Sequence, residues 1–156
     1  MARRSAFRGV VLGLDGSANS RRAARFLARL RPPRGAQVVC VRVMEPVRVP
    51  ALSPLIPRTM RDQITAQARA LEREQMRRAR RQVEEIAARL SRAGWRARGV
   101  VRTGVPLPGL VAEARRTRAG VIAVGARGAG PVKHLLLGSV AEGLAKRAPL
   151  DVLVVK

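Results

Sequence analysis

Four residues in the stretch GARGAGPVKHLLLGS, namely Gly125, Gly128, Gly138 and Ser139, are of the types and in the order that hold a phosphate. A phosphate needs several backbone N–H groups turned toward it, and glycine permits φ angles and close approaches that a Cβ blocks. A helix beginning at Gly138 or Ser139 adds unpaired amides, the positive end of its dipole and a hydroxyl. Gly130 shapes the same turn. Glycines kept for packing or flexibility would explain an isolated pair. Here a strand, a loop and a helix start follow one another in the order a cradle requires.

The charged residues nearby set the range of chemistry. Arg127 and Lys133 can face phosphate oxygens, and His134, the only histidine, lies inside the loop where an imidazole could reach a γ-phosphate. An exposed loop position accounts for His134 more simply. Asp15 closes the apolar run VVLGLD, where its carboxylate could ligate a magnesium ion arriving with phosphates or shape the turn into the next helix. No GxSxG elbow presents a nucleophile to His134. One cysteine and one histidine cannot supply the usual zinc set. Neither GxxxxGK[ST] nor a GxGxxG after the first strand is present, which sets aside P-loop and dinucleotide folds. Phosphoryl transfer also needs a base for the attacking water, and none is evident. The residues favour binding over turnover, with any hydrolysis slow.

These residues must be positioned by an α/β fold. Short β-branched runs alternate with helical patterns, as in a parallel sheet covered on both faces. Strands are expected near Gly9 to Leu14, Gln37 to Met44, Arg98 to Val101, Gly120 to Gly125 and Asp151 to Val155. Helices are expected from about Ser20 to Leu30, from about Arg61 to Ser91, after TGVP with Pro106 in the first turn, and from Gly138 or Ser139. The long second helix carries Ile64, Ala68, Leu71, Ala79, Val83, Ile86 and Leu90 at a spacing that makes one buried stripe, and its length implies that its N-terminal part overhangs the sheet or bends. The Pro-rich connection over 45–60 is either a functional flap or disordered. Right-handed crossovers favour a five-stranded doubly wound sheet but leave the strand order open. If the first and fourth strands are adjacent, Asp15 and Gly125 face one crevice at the switch point.

The 156 residues, 47% of them hydrophobic, fit one soluble domain over 1–156. Cys40 sits alone in the apolar run AQVVCVRV, which excludes a disulfide framework within the chain. The basic start lacks a signal-peptide pattern, and no segment approaches membrane-spanning length, so the expected place is the cytoplasm without membrane contact. The formal charge of +22 asks for an anionic partner, although arginine-rich composition also follows from a GC-rich genome. Arg69, Arg73, Arg77 and Arg81 recur every four residues along the second helix, interrupted by Glu72, Glu74, Glu84 and Glu85 as on a solvated helix face, and the run RRAARFLARLRPPR adds a basic surface that leaves a second reading: nucleic-acid binding through phosphate contacts. With aromatic residues at 2%, base stacking has little material.

The glycine spacing then resembles the universal stress proteins, whose ATP-binding members share Gly, two residues, Gly, nine residues, and Gly followed by Ser or Thr. Gly125, Gly128, Gly138 and Ser139 satisfy it in full, and the resemblance extends to VVLGLDGS, VRVMEP and APLDVLVVK. It implies a fold like that of the adenine nucleotide alpha-hydrolases, with strand order 3-2-1-4-5, and a nucleotide-bound regulatory or stress-response module. It also implies ATP as ligand, with magnesium where the phosphates bring it. Residue by residue, it implies that Asp15 approaches the nucleotide and any metal, that Val43 lies by the adenine, and that the glycines and Ser139 meet the phosphates and ribose. Val140 continues the helix start, and Arg127 lies within the motif. Ala141 stands where some ATP-binding relatives carry a hydroxyl residue. The family's last strand often pairs across a dimer axis, and DVLVV, apolar on both faces, would otherwise leave an open edge.

Overall fold

The computed structural model describes residues 9–47, 55–128 and 137–156. The expectations placed on Gly130, Lys133, His134 and the middle of the Pro-rich connection lie outside these residues.

Five strands, β1 (Gly9–Gly13), β2 (Gln37–Met44), β3 (Arg96–Thr103), β4 (Val121–Gly125) and β5 (Asp151–Val155), alternate with four helices, α1 (Ala18–Arg29), α2 (Arg58–Arg92), α3 (Pro106–Thr117) and α4 (Ser139–Arg147). The strands form one all-parallel sheet in the order β3-β2-β1-β4-β5. Val10, Val11 and Leu12 of β1 stand opposite Val38, Val39 and Cys40 of β2 on one side and Val121, Ile122 and Ala123 of β4 on the other. A strand flanked in this way is buried on both faces, which is why VVL is continuously apolar.

Successive side chains leave the sheet on opposite faces and build two cores. Val10, Leu12, Val38 and Cys40 pack with Ala23, Leu27, Val83 and Leu90 of α1 and α2. Val11, Val39, Val41, Ile122 and Val124 pack with Leu110, Ala114, Ala141 and Leu144 of α3 and α4. Trp95, 4% exposed, closes the first core and donates its indole N–H to the Leu27 carbonyl at 3.0 Å.

Three elements differ from the sequence expectation by two residues or more at an end. Helix α1 begins at Ala18 because Ser17 caps it, its hydroxyl oxygen accepting the Ser20 N–H at 3.1 Å. Helix α2 begins at Arg58, directly after Pro57, the last proline of the connection and a residue that suits a helix start. Strand β3 extends two residues further at each end, because its arginines alternate with residues that face the sheet's core.

At 35 residues, α2 is about 52 Å long. The single buried stripe expected along it divides in two. Ala79, Val83, Ile86 and Leu90 are buried against the sheet, but no residue from Arg58 to Arg78 is buried, and Leu71 is 54% exposed. The sheet is too short to cover the first half, which overhangs it.

Candidate functional site

Chain order reverses at the C-terminal ends of β1 and β4. The chain leaves β1 into α1 on one face of the sheet, and β4 leads toward α4 on the other. The divergence opens a crevice, as it does in doubly wound sheets generally. A cavity of about 400 Å³ fills it, within the range of small-molecule sites. Asp15, Val43, Gly125, Arg127, Gly128, Gly138, Ser139 and Val140 all line this one cavity.

Each side has its own chemistry. Val41 and Val43 of β2, Pro106 and Leu110 of α3 and Val124 of β4 form an apolar wall. Opposite, α4 begins with Gly138 at its N-cap, which offers no side chain to its first amides. The first helical hydrogen bond is from Glu142 N–H to the Gly138 carbonyl at 2.9 Å, so the N–H groups of Ser139, Val140 and Ala141 precede the helical ladder. A cavity with an apolar end and an amide end gives an amphipathic ligand one orientation.

The glycines divide by role. Gly138 N–H donates to the Ala126 carbonyl at 2.7 Å, and a Cβ on Gly138 would stand 3.1 Å from the Gly128 nitrogen and 3.3 Å from Arg127 Cα. Gly138 has φ −75°, so its glycine is required for space and not for a left-handed backbone. A Cβ on Gly128 would meet Oδ2 of Asp15 at 2.9 Å. Gly125 answers to a different neighbour: its Cβ would lie 2.5 Å from the carbonyl carbon of Asn19 and 2.7 Å from the Ser20 nitrogen. It therefore lets the start of α1 press against the end of β4. Among the described glycines lining or flanking the cavity, Gly16 takes a positive φ of +84°, in the DGS turn of the opposite loop.

Asp15 holds its own loop as well as facing the cavity. Its Oδ1 accepts the Ser17 N–H at 2.9 Å, the turn-shaping role open to an aspartate at this position. Ser17 in turn donates its hydroxyl to the Arg127 carbonyl at 3.3 Å, tying the β1 loop to the glycine loop.

Sequence reading did not single out Val41, Glu45, Pro106 or Leu110 as cavity residues. Val41 carried a signal, since it lies two residues before Val43 on β2 and so shares its face. Glu45 follows the strand, is exposed, and places a carboxylate at the rim. Cys40 is buried, and desolvation pushes its thiol up to about 12, which keeps it uncharged. No group of three or more metal-ligating side chains occurs among the described residues.

The basic stripe of α2 is partly neutralised. Glu74 pairs with Arg77 at 2.6 Å, Arg78 at 2.9 Å and Arg81 at 3.7 Å, and Glu85 with Arg89 at 3.6 Å. Hydrogen bonds from Arg78 and Arg77 hold the Glu74 carboxyl below its ordinary value. Among the described residues no helix is long and apolar enough to cross a membrane.

Comparison with known proteins agrees with this architecture. The chain is 32% identical over 78 residues to the universal stress protein MJ0577 of Methanocaldococcus jannaschii, a stretch that covers 50% of this chain and 48% of that relative. The chain thus spans about half the length of the curated relative it matches. The solved structure of MJ0577 superposes with a TM-score of 0.79 at 21% identity, covering 96% of both chains. A universal stress protein solved in complex with cAMP gives 0.59 at 25% identity, covering 97% of this chain and 98% of its own. An Arabidopsis thaliana family member solved with AMP bound gives 0.60 at 17% identity, over 96% and 90%. The model of the universal stress protein family matches residues 6–156, and the chain belongs to that family.

Proposed function

We propose that the chain binds ATP in the crevice between β1 and β4 and acts as a nucleotide-bound regulatory or stress-response module with little or no hydrolysis. The observation that carries this reading is the convergence on one cavity of an apolar wall and an amide-rich helix start. An adenine ring packs against the wall at Val43 and Leu110. The phosphates lie toward Gly128, Gly138, Ser139 and Val140, where the amides of Ser139 and Val140, which precede the helical ladder, and the helix dipole meet negative charge. The Glu45 carboxylate at the rim repels phosphate and suits the ribose hydroxyls or the adenine amino group, which fixes the same orientation. Two structural neighbours, solved with cAMP and with AMP, support an adenine ligand.

The donor set suits magnesium carried in by the phosphates. Asp15 offers a carboxylate at the phosphate end, and such an ion completes its shell with phosphate oxygens and water, without a cage of protein ligands. The ion would supply charge neutralisation there.

Slow turnover follows from what holds the ligand. Backbone amides bind ground-state charge, whereas rate acceleration needs contacts that strengthen in the transition state. Arg127 lines the cavity. Lys133 and His134 are the other candidates in the sequence between Gly128 and Gly138. The cytoplasm, where ATP is abundant, is the compartment in this reading, and β5, an open edge of the sheet, pairs with a second copy across a dimer axis.

Mass spectrometry of nucleotide released from purified, folded protein tests the reading. ATP or its slowly formed product ADP is expected. A cradle filled by a nicotinamide dinucleotide, or phosphate release at several turnovers per second, would contradict it.

A further inference from the structure

A buried carboxylate ringed by arginines stands on the α3 face of β3, apart from the crevice. Glu113 is the only acidic residue of α3, and its side chain is 2% exposed. Three guanidiniums close on it. Arg102 Nε donates to Oε2 at 3.0 Å, and Arg116 donates to Oε2 through Nε at 3.1 Å and to Oε1 through Nη2. Arg98 Nη2 lies 3.8 Å from Oε1. Arg98 and Arg102 are four residues apart on an edge strand and so share a face, and Arg116 stands one helical turn beyond Glu113.

The arginines themselves are 47%, 43% and 51% exposed. The carboxylate is thus covered in part by side chains whose outer edges are in water. One carboxylate has about four acceptor sites, and each guanidinium about five N–H donors, so most of the donors remain for solvent or a ligand. Among the described residues, three cations facing one anion also leave two positive charges unmatched at this spot. Glu113 anchors the three side chains from behind, which lowers the entropy lost when they close on a ligand.

The geometry points to a binding site for a phosphomonoester dianion at Arg98, Arg102 and Arg116. A monoester phosphate carries a charge of about −1.5 to −2 near neutral pH, which balances the two unmatched cations, and its oxygens accept the forked donors of arginine. A carboxylate or a phosphodiester brings a single charge. The site is independent of the nucleotide reading, since none of these residues lines the crevice cavity. The phosphomonoester is carried either by a small metabolite or by a phosphorylated side chain of a partner.

The test follows the arginine Nε–H resonances of the isotopically labelled full chain at physiological salt. The probes are glycerol phosphate, a phosphoserine peptide, its unphosphorylated form, and dimethyl phosphate. The Arg98, Arg102 and Arg116 signals are expected to shift first and saturably with both monoesters, ahead of Arg21, Arg22 and Arg69. The Gly128→Val variant should give the same response, which separates this site from the cradle. Arg98→Gln and Arg102→Gln should each weaken the response about tenfold, the loss of one charge-assisted contact. Tighter binding of the peptide identifies a phosphorylated partner, and tighter binding of glycerol phosphate a metabolite; either supports the site. Uniform shifts across all arginines, equal effects of dimethyl phosphate or the unphosphorylated peptide, or no shift in the wild-type chain would overturn it.

Discussion

Gly128 and Asp15 face each other across the mouth of the crevice, with a Cβ on the glycine falling 2.9 Å from Oδ2 of the aspartate. The neighbour is a side-chain oxygen and not backbone, so it can shift at some cost to the Asp15–Ser17 hydrogen bond, and the fold tolerates Gly128→Val better than the cavity does. The variant should keep its melting temperature within a few degrees and lose at least about tenfold in ATP affinity, as a blocked contact to a charged group does. Calorimetry beside thermal unfolding separates the two effects.

Gly125 should behave in the opposite way. Its Cβ would meet the backbone of Asn19 and Ser20, which cannot move without displacing α1. Gly125→Ala should cost about 3 kcal/mol of stability, the upper range for overpacking, as read from denaturant midpoints. A variant as stable as the wild type that has lost only nucleotide affinity would return Gly125 to the phosphates.

Asp15 combines two jobs that two substitutions divide. Asp15→Ala removes the acceptor of the Ser17 N–H and should cost about 1 kcal/mol in the apo protein. Asp15→Asn keeps an acceptor oxygen and should leave stability nearly unchanged. Both should weaken magnesium-dependent ATP binding, because both remove the charge. Full affinity in Asp15→Asn would assign the residue to the turn alone.

Glu113 gives the protein a predictable acid response. The Arg116 hydrogen bonds, followed by those of Arg102, hold its carboxyl below the ordinary glutamate value of 4.5 despite desolvation. A carboxyl lowered in the folded state contributes stability above its unfolded pKa and loses it as pH falls through the folded value. Glu113→Gln should therefore destabilise the protein by about 1–3 kcal/mol at neutral pH. Below about pH 4 the difference should shrink toward zero. Urea unfolding at a series of pH values checks this, and a difference that is constant with pH would contradict it.

The two faces of this account differ in how far the sequence disclosed them. Strands β2 and β5 were legible to the residue because their apolar runs are bounded by turn signals, whereas crossover handedness left the sheet order open and the family resemblance supplied it. The ends of β3 were hidden, because arginines such as Arg96 and Arg102 do not resemble strand residues, and the Glu113 carboxylate that pairs with Arg102 lies on another element. The glycine motif located the crevice. It could not distinguish Gly125, which packs on Asn19 and Ser20, from Gly128, which opens onto the cavity, since those neighbours come from the far end of the sequence. The apolar wall was half visible for a similar reason: Val43 lies on one strand, while Leu110 and Pro106 arrive from α3.

The edge strand β5 carries half-buried Val152, Leu153, Val154 and Val155. Light scattering at micromolar concentration should return twice the 16.9 kDa of one chain. Introducing Pro at Val154 should give monomers, because proline removes a ladder donor and blocks an edge. A wild-type mass near one chain would contradict pairing through β5.

Titration calorimetry of ATP with magnesium into folded, nucleotide-free protein tests the central claim most directly. The predicted result is a saturable one-to-one isotherm at micromolar to millimolar ATP that collapses in Gly128→Val, with no comparable heat from nicotinamide dinucleotides. The absence of ATP heat at millimolar concentration in folded wild-type protein would contradict it.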